Sequence, residues 1–387
     1  MLLSQTPPMG WNSWNTFGPD VNEKVVLDAV DFMVEKGYKD AGYEYIVIDD
    51  CWLLRDRDEN DRLVPDPEKF PHGMKYVADY VHSKGLKFGM YSCAGTRTCA
   101  RYPSSYNHEY IDAKTFAEWE IDFLKYDFCN FKGVDDKRSY LTMAQALRTC
   151  GRDILFSACQ WGKNDPAHWM RSVGAHMYRS TGDINDTYES MMKIMIEQHQ
   201  NFQANGAGCF NDIDMMTVGM YGKGLVARPS KMTYDEYEMQ FAFWCFVGAP
   251  LMMGADLTQV DEECRKLMQH KELIRINQDK ECRPPYYLTP YKMHMEAHAT
   301  GWNQGAVMIY VRQLENNEYA VGVFNLRDGD SHFIIDNEEL GVPFGQGYGV
   351  EYTDVITGEK IGVRRCDIYG TVKAHSCKVY RCKTVKL

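Results

Sequence analysis

The sequence predicts an α/β protein, a (β/α)8 TIM barrel followed by a C-terminal antiparallel β-sandwich domain. Three observations carry that expectation. Short apolar runs alternate with longer amphipathic segments eight times over about 280 residues, the count of a closed parallel barrel. Polar and aromatic residues collect where the apolar runs end, which is where barrels place their chemistry. After Arg283-Pro284-Pro285 the pattern changes to short strands with turns such as Arg327-Asp328-Gly329-Asp330, without a helical period. The expected domains are 1–286 for the barrel and 287–387 for the sandwich. An open doubly wound sheet is the competing architecture, but no GxGxxG turn follows the first strand.

In chain order, strands are expected at 9–15, 45–49, 86–92, 123–127, 154–158, 176–179, 207–211 and 250–253. Helices are expected at 21–36, 72–84, 114–121, 140–150, 166–173, 188–203, 234–247 and 261–276. The first helix shows the reasoning, because Val25, Leu27, Val30, Phe32 and Met33 recur at helical spacing. The second domain reads as strands at 307–311, 319–325, 331–335, 349–354 and 379–382. No internal repeat or low-complexity segment interrupts the chain.

The 387 residues carry a net charge of −11, which argues against nucleic acid and anionic membrane as partners and suits a neutral ligand. Aromatic residues make up 13% of the chain; they could stack on sugar faces, and they serve packing equally well. No run approaches ~18 apolar residues, and the first residues lack a basic leader pattern, so the expected location is cytoplasmic. The 13 cysteines are odd in number and scattered, which reads as a reducing compartment. No CxxC or His/Cys spacing suggests a metal, so neither metal nor cofactor is expected. Oligomeric state is not legible, and a homo-oligomer is compatible with the sequence.

The chemistry is expected to centre on Phe123-Leu124-Lys125-Tyr126-Asp127. Side chains of a strand alternate faces, so Lys125 and Asp127 point the same way. An ammonium at that distance holds a carboxylate ionised, which fits a nucleophile. A carboxylate nucleophile needs a second acid to protonate the leaving group, and Asp183, in Arg179-Ser180-Thr181-Gly182-Asp183-Ile184, is the candidate. Taken alone, Asp127 could equally cap a turn, and Asp183 could cap a helix or pair with Arg179.

Several strand-end motifs then point to a family. They are Pro8-Met9-Gly10-Trp11-Asn12-Ser13-Trp14, Asp40-Ala41-Gly42-Tyr43-Glu44-Tyr45, Ile48-Asp49-Asp50-Cys51-Trp52 and Phe123-Leu124-Lys125-Tyr126-Asp127. Further along are Cys159-Gln160-Trp161-Gly162, Arg179-Ser180-Thr181-Gly182-Asp183, Asn211-Asp212-Ile213-Asp214-Met215 and Asn277-Gln278-Asp279. Together they resemble glycoside hydrolase family 27, the α-galactosidase and α-N-acetylgalactosaminidase family. The resemblance implies a retaining glycosidase with Asp127 as nucleophile and Asp183 as acid/base. It also implies that Trp14, Asp49, Asp50, Tyr91, Lys125, Arg179 and Asp214 line the terminal galactose. For Asp212 a structural role, ordering the loop before Asp214, is the expected one. Cys99 and Cys129 match a pair bridged in many secreted members; their redox state stays open, and Cys51 is expected to be free.

Within that family the loop after the fifth strand separates a 2-hydroxyl from a 2-acetamido group. Cys159-Gln160-Trp161 resembles the galactosidase version, in which Cys and Trp fill the acetamide space, although Gln160 stands where glutamate is common. The substrate expected on that ground is an α-galactoside. An α-N-acetylgalactosaminidase or a β-L-arabinopyranosidase is the alternative within the family. A non-catalytic galactose-binding protein and a metal-dependent isomerase are the alternatives outside it. The glycine-rich segment 218–231, with Lys223 and Arg228, is expected to shape the aglycone side or a subunit contact.

Overall fold

The computed structural model describes residues 2–198, 201, 204–288 and 307–387. Its first sheet has eight parallel strands: β1 (Met9–Asn12), β2 (Tyr45–Val47), β3 (Lys87–Cys93), β4 (Phe123–Asp127), β5 (Leu155–Cys159), β6 (Met177–Arg179), β7 (Phe210–Asp212) and β8 (Leu251–Met253). They run in the order β7-β6-β5-β4-β3-β2-β1-β8. Met216, just past β7, closes the ring, donating its N–H to the Met252 carbonyl (2.8 Å) and accepting from Gly254 N (3.0 Å). The barrel expected from the alternating pattern is therefore present.

The helices are α1 (Trp14–Phe17), α2 (Glu23–Glu35), α3 (Gly73–Ser83), α4 (Glu109–Glu118), α5 (Asp136–Thr149), α6 (Met170–Val173), α7 (Tyr188–Glu197), α8 (Tyr234–Val247), α9 (Glu262–Met268) and α10 (Lys271–Asn277). Their starts are written in local chemistry. Asn22, Asp135, Thr187 and Asp261 each accept a backbone N–H of the first turn, and Thr233 with Glu236 forms a capping box. Several bounds shift: the expected helix 166–173 is a 3-10 turn (Pro166–His168) followed by α6, and the one expected at 114–121 is α4. Two further changes have a clear local cause. The single helix at 261–276 is two helices, because the chain turns at Gln269 and the His270 ring restarts the second by capping Leu273 N. The first strand stops at Asn12, whose Oδ1 accepts the Trp14 N–H at 2.8 Å and turns the chain into α1. Part of the expected helix 188–203 lies outside the described residues.

The second domain contains β9 (Tyr286–Tyr287), β10 (Val307–Gln313), β11 (Glu318–Asn325), β12 (Ser331–Asp336), β13 (Tyr348–Asp354), β14 (Lys360–Arg364), β15 (Asp367–Val372) and β16 (Ser376–Lys386). Six strands pair antiparallel in the order β14-β13-β16-β11-β10-β9, and β12 pairs with β15 in a second layer. Phe333, Ile335, Ile368 and Val372 of the small sheet meet Val321, Val323, Val350 and Tyr380 of the large one, which makes a sandwich. The sequence did not reveal β9, β14 and β15, since β9 is two residues long and β14 is an exposed edge with little apolar alternation.

Helix α8 binds the domains together. Every residue from Met239 through Val247 is buried, because the barrel covers one side and Phe324 packs edge-on against Phe243 and Phe246 on the other. Arg312 of β10, 1% exposed, donates to the Cys245 and Phe246 carbonyls at the end of α8 (3.1 Å each) and to Arg283 O (3.0 Å). No helix among the described residues is long and apolar enough to cross a membrane.

Candidate active site

The period of two along each strand builds the site. Tyr45, Val47, Phe123, Leu155, Met177, Phe210 and Met252 form an apolar cluster separate from the main core, with half-buried Trp14 packed against it. This is the filling of the barrel. Two or four residues further along the same faces come Asp49, Lys125, Asp127, Cys159, Arg179 and Asp212, so the wall turns from apolar to polar at the C-terminal mouth.

Asp127 ends β4 and is 5% exposed. Its Oδ1 accepts the Phe128 N–H at 2.8 Å, and its Oδ2 lies 3.7 Å from Cys99 Sγ. The expected charge arrangement needs correction here. Lys125 Nζ hydrogen-bonds Asp49 Oδ2 at 2.7 Å, reaching past β3 to the strand beyond instead of turning to Asp127. Burial pushes the Asp127 carboxyl up to about 7, against the pull of the nearby Lys125 charge and the Phe128 N–H. In the free protein Asp127 therefore shares a proton near neutrality instead of being firmly ionised.

Asp49 is held by Lys125, by Asn12 Nδ2 (2.8 Å) and by the Asp50 N–H on Oδ1 (2.9 Å). Asp50, also buried, accepts the Cys51 N–H (2.7 Å) and the Ala100 N–H (2.8 Å), while burial raises its carboxyl. Tyr91 of β3 belongs to the same wall, with Lys125 Nζ 5.4 Å from its ring centre. Its hydroxyl is buried with no hydrogen-bond partner. Sequence reasoning did not single out Asn12, which ties Trp14 to Asp49 through its two side-chain atoms. The signal was present, since Asn12 stands inside the Gly10–Trp14 motif.

On the facing side Arg179, 3% exposed, donates from Nη2 to Asp214 Oδ2 (2.6 Å) and Asp183 Oδ1 (2.7 Å). Asp214 also accepts the Ile184 N–H at 2.7 Å and the Met215 N–H at 2.7 Å, and Asp212 Oδ1 takes the Asp214 N–H at 2.9 Å. Asp212 thus orders the turn that holds Asp214 at φ +80°. Burial raises the Asp214 carboxyl and the Arg179 guanidinium opposes it. Asp183 is 71% exposed, and its charge is among those that raise Asp127. A buried carboxyl and a solvent-facing one thus share a single mouth.

The loop after β5 is braced from outside. Gln160 is fully buried and turns its amide to Asp136 Oδ2, which Asn164 Nδ2 also reaches at 2.8 Å. Cys159 Sγ lies 3.8 Å from Arg179 Nη1, and Trp161 takes the left-handed backbone at φ +55° with Lys163 over its ring. Gly162 follows at φ +75°, against the Ser180 carbonyl. Cys99 and Cys129 are bridged, with Cα atoms 5.0 Å apart, while Cys51 is free as expected. Two clusters among the described residues bring three metal-type ligand atoms together. One is Cys99, Asp127 and Cys129, whose sulfurs are used in the bridge. The other, Asp79, His82 and Glu120, is engaged by Lys75 and Asp122.

Both parts of the chain match known families. The family model described as "Alpha galactosidase A" matches residues 6–279, and "Alpha galactosidase C-terminal beta sandwich domain" matches 304–382. The chain is 38% identical over 379 residues to an alpha-galactosidase of Cyamopsis tetragonoloba, covering 98% of this chain and 86% of that one. Its structure is similar to that of alpha-galactosidase I from Mortierella vinacea, with a TM-score of 0.89, 30% identity, and coverage of 98% of this chain and 97% of that one. It is similar also to a Saccharomyces cerevisiae alpha-galactosidase solved with raffinose (TM-score 0.89, 28% identity, 99% and 98% covered).

Proposed function

Since the chain belongs to the alpha-galactosidase A family, we propose that it is a retaining exo-α-galactosidase that removes terminal α-D-galactosyl residues from oligosaccharides or glycoconjugates. The observation that carries this reading is the pairing of two unlike carboxyls, Asp127 buried at the end of β4 and Asp183 open to solvent beside Arg179.

In the first displacement Asp127 attacks the anomeric carbon while Asp183 gives its proton to the departing oxygen. Asp183 then takes a proton from water, which attacks the glycosyl–enzyme ester and releases galactose with its configuration retained. The free site needs one proton between the two acids. A sugar docked over Asp183 excludes bulk water from the proton that it passes to the departing oxygen. The positive charge that develops at the anomeric centre meanwhile favours ionised Asp127. Asp49 and Asp50 accept hydrogen bonds from sugar hydroxyls, and the Lys125 ammonium holds the Asp49 carboxylate in place for that purpose. The Tyr91 hydroxyl is free to bond a ligand. Trp14 offers its ring to the apolar face of the hexose.

On this reading Cys159, which is buried, and Trp161, on the braced loop at φ +55°, fill the space that a 2-acetamido group would need, which favours galactose over N-acetylgalactosamine. The test is a panel of aryl glycosides with product stereochemistry followed by NMR. α-Galactoside should turn over with net retention, and α-N-acetylgalactosaminide far more weakly. Inversion, or equal rates on both, would refute the assignment of the acids or of the loop.

A further inference from the structure

The segment between β7 and α8 forms one rim of the mouth, and its tethers say which. Val226 N donates to Asn15 O at 3.2 Å, and Val226 O accepts the Asp186 N–H at 3.1 Å. Gly222 N donates to Asp186 Oδ2 at 2.6 Å. Gly224, at φ +93°, sits so close to Asn15 O (2.9 Å from where a Cβ would stand) that a side chain there would collide. The rim is therefore fastened to the loops that carry Trp14 and Asp183, on the side where the leaving group is protonated.

The carboxylates behind this rim already have partners. Asp186 takes the Gly222 N–H and the Tyr237 hydroxyl (2.8 Å), and Asp261 takes the Cys264 N–H (3.0 Å). Lys223, Arg228 and Lys231 are exposed, and among the described residues none has a carboxylate partner. Arg228 Nη1 reaches only the carbonyl of its neighbour Ala227. Three cations in one short loop with no carboxylate partner among the described residues stand out on a chain of net charge −11. A neutral aglycone could accept only ordinary hydrogen bonds from them, whereas an anionic one would gain charge-assisted bonds.

We propose that this rim selects α-galactosides whose aglycone is anionic, carrying a carboxylate, sulfate or phosphate beyond the cleaved bond. The proposal rests on the galactosidase reading and leaves its bond-making and bond-breaking unchanged. The cations are exposed, so they act through a screened field on binding and encounter.

The test compares melibiose with melibionate, two disaccharides with the same α-1,6 galactosyl linkage and an uncharged or carboxylate-bearing aglycone. At low salt the ratio of kcat/KM should favour melibionate on the order of 3- to 10-fold, mainly through KM. The preference should vanish at about 1 M salt, where the screening length is ~3 Å. The triple variant Lys223→Gln/Arg228→Gln/Lys231→Gln should lose the preference while keeping wild-type turnover of a neutral aryl α-galactoside. Equal kcat/KM for the two disaccharides, or a preference that the variant leaves intact, overturns the proposal. Failure to release galactose from any of the three substrates overturns the galactosidase reading, and the proposal with it.

Discussion

Replacing Asp127 by Asn separates two consequences of burying that carboxyl. Asn has nearly the same shape and cannot ionise. Burial raises the Asp127 carboxyl to about 7 from an ordinary value of 3.8. Because the folded value is the higher one, the folded chain binds more protons than the unfolded chain between these limits. The associated stability is full below the unfolded value and is lost as pH rises through the folded one. About three pH units at 1.36 kcal/mol each set the cost of ionised Asp127 at pH 8 at about 4 kcal/mol at most. The Asn variant should match the wild type in stability near pH 4 and exceed it progressively up to pH 8. Unfolding midpoints of both proteins, measured across that range, read the difference; titrating groups remote from Asp127 contribute equally to both and cancel, while Lys125, Asp49 and Asp183, which feel its charge, add to the difference. Turnover of an aryl α-galactoside should meanwhile fall on the order of 10⁴-fold or more. A stability gap independent of pH would show that Asp127 is ionised throughout, and near-normal turnover would show that it is not the nucleophile.

Lys125→Met should strand the buried Asp49 carboxylate with only Asn12 and a backbone N–H, at a cost of about 3–5 kcal/mol in unfolding free energy. It should also move the acid limb of kcat/KM to higher pH, since Asp127 loses the positive charge that opposes its burial; an unmoved limb would refute that coupling. Gly162→Ala places a side chain at φ +75° and in collision with the Ser180 carbonyl oxygen, so about 1–2 kcal/mol of backbone strain, plus the cost of displacing that carbonyl, should fall on the loop that presents Trp161. The galactoside should lose kcat/KM relative to the α-N-acetylgalactosaminide, and an unchanged ratio would separate this loop from substrate selection.

Much of this protein was legible in the order of its residues. Strand periodicity alone put Lys125 and Asp127 on one face with Phe123, and strand-end chemistry collected Asp49, Cys159, Asp183 and Asp214 at one mouth. Such features depend on neighbours two to four residues apart, and local geometry transmits them faithfully. Capping residues such as Asn22, Asp135 and Thr233 are local signals of the same kind at the helix starts.

What the sequence left undecided depends on groups brought together from far apart. Lys125 could have served Asp127, two residues away; the curvature of the barrel placed Asp49 within 2.7 Å instead. The Asp127 carboxyl owes its raised value to the removal of water by surrounding strands, a property no residue possesses alone. The Cys99–Cys129 bridge and the pinning of Arg312 between α8 and β10 are likewise products of chain meeting chain. Spacing along the chain determined which chemical groups the protein carries to its mouth; only the closed barrel decided which of them touch, and how much water each one keeps.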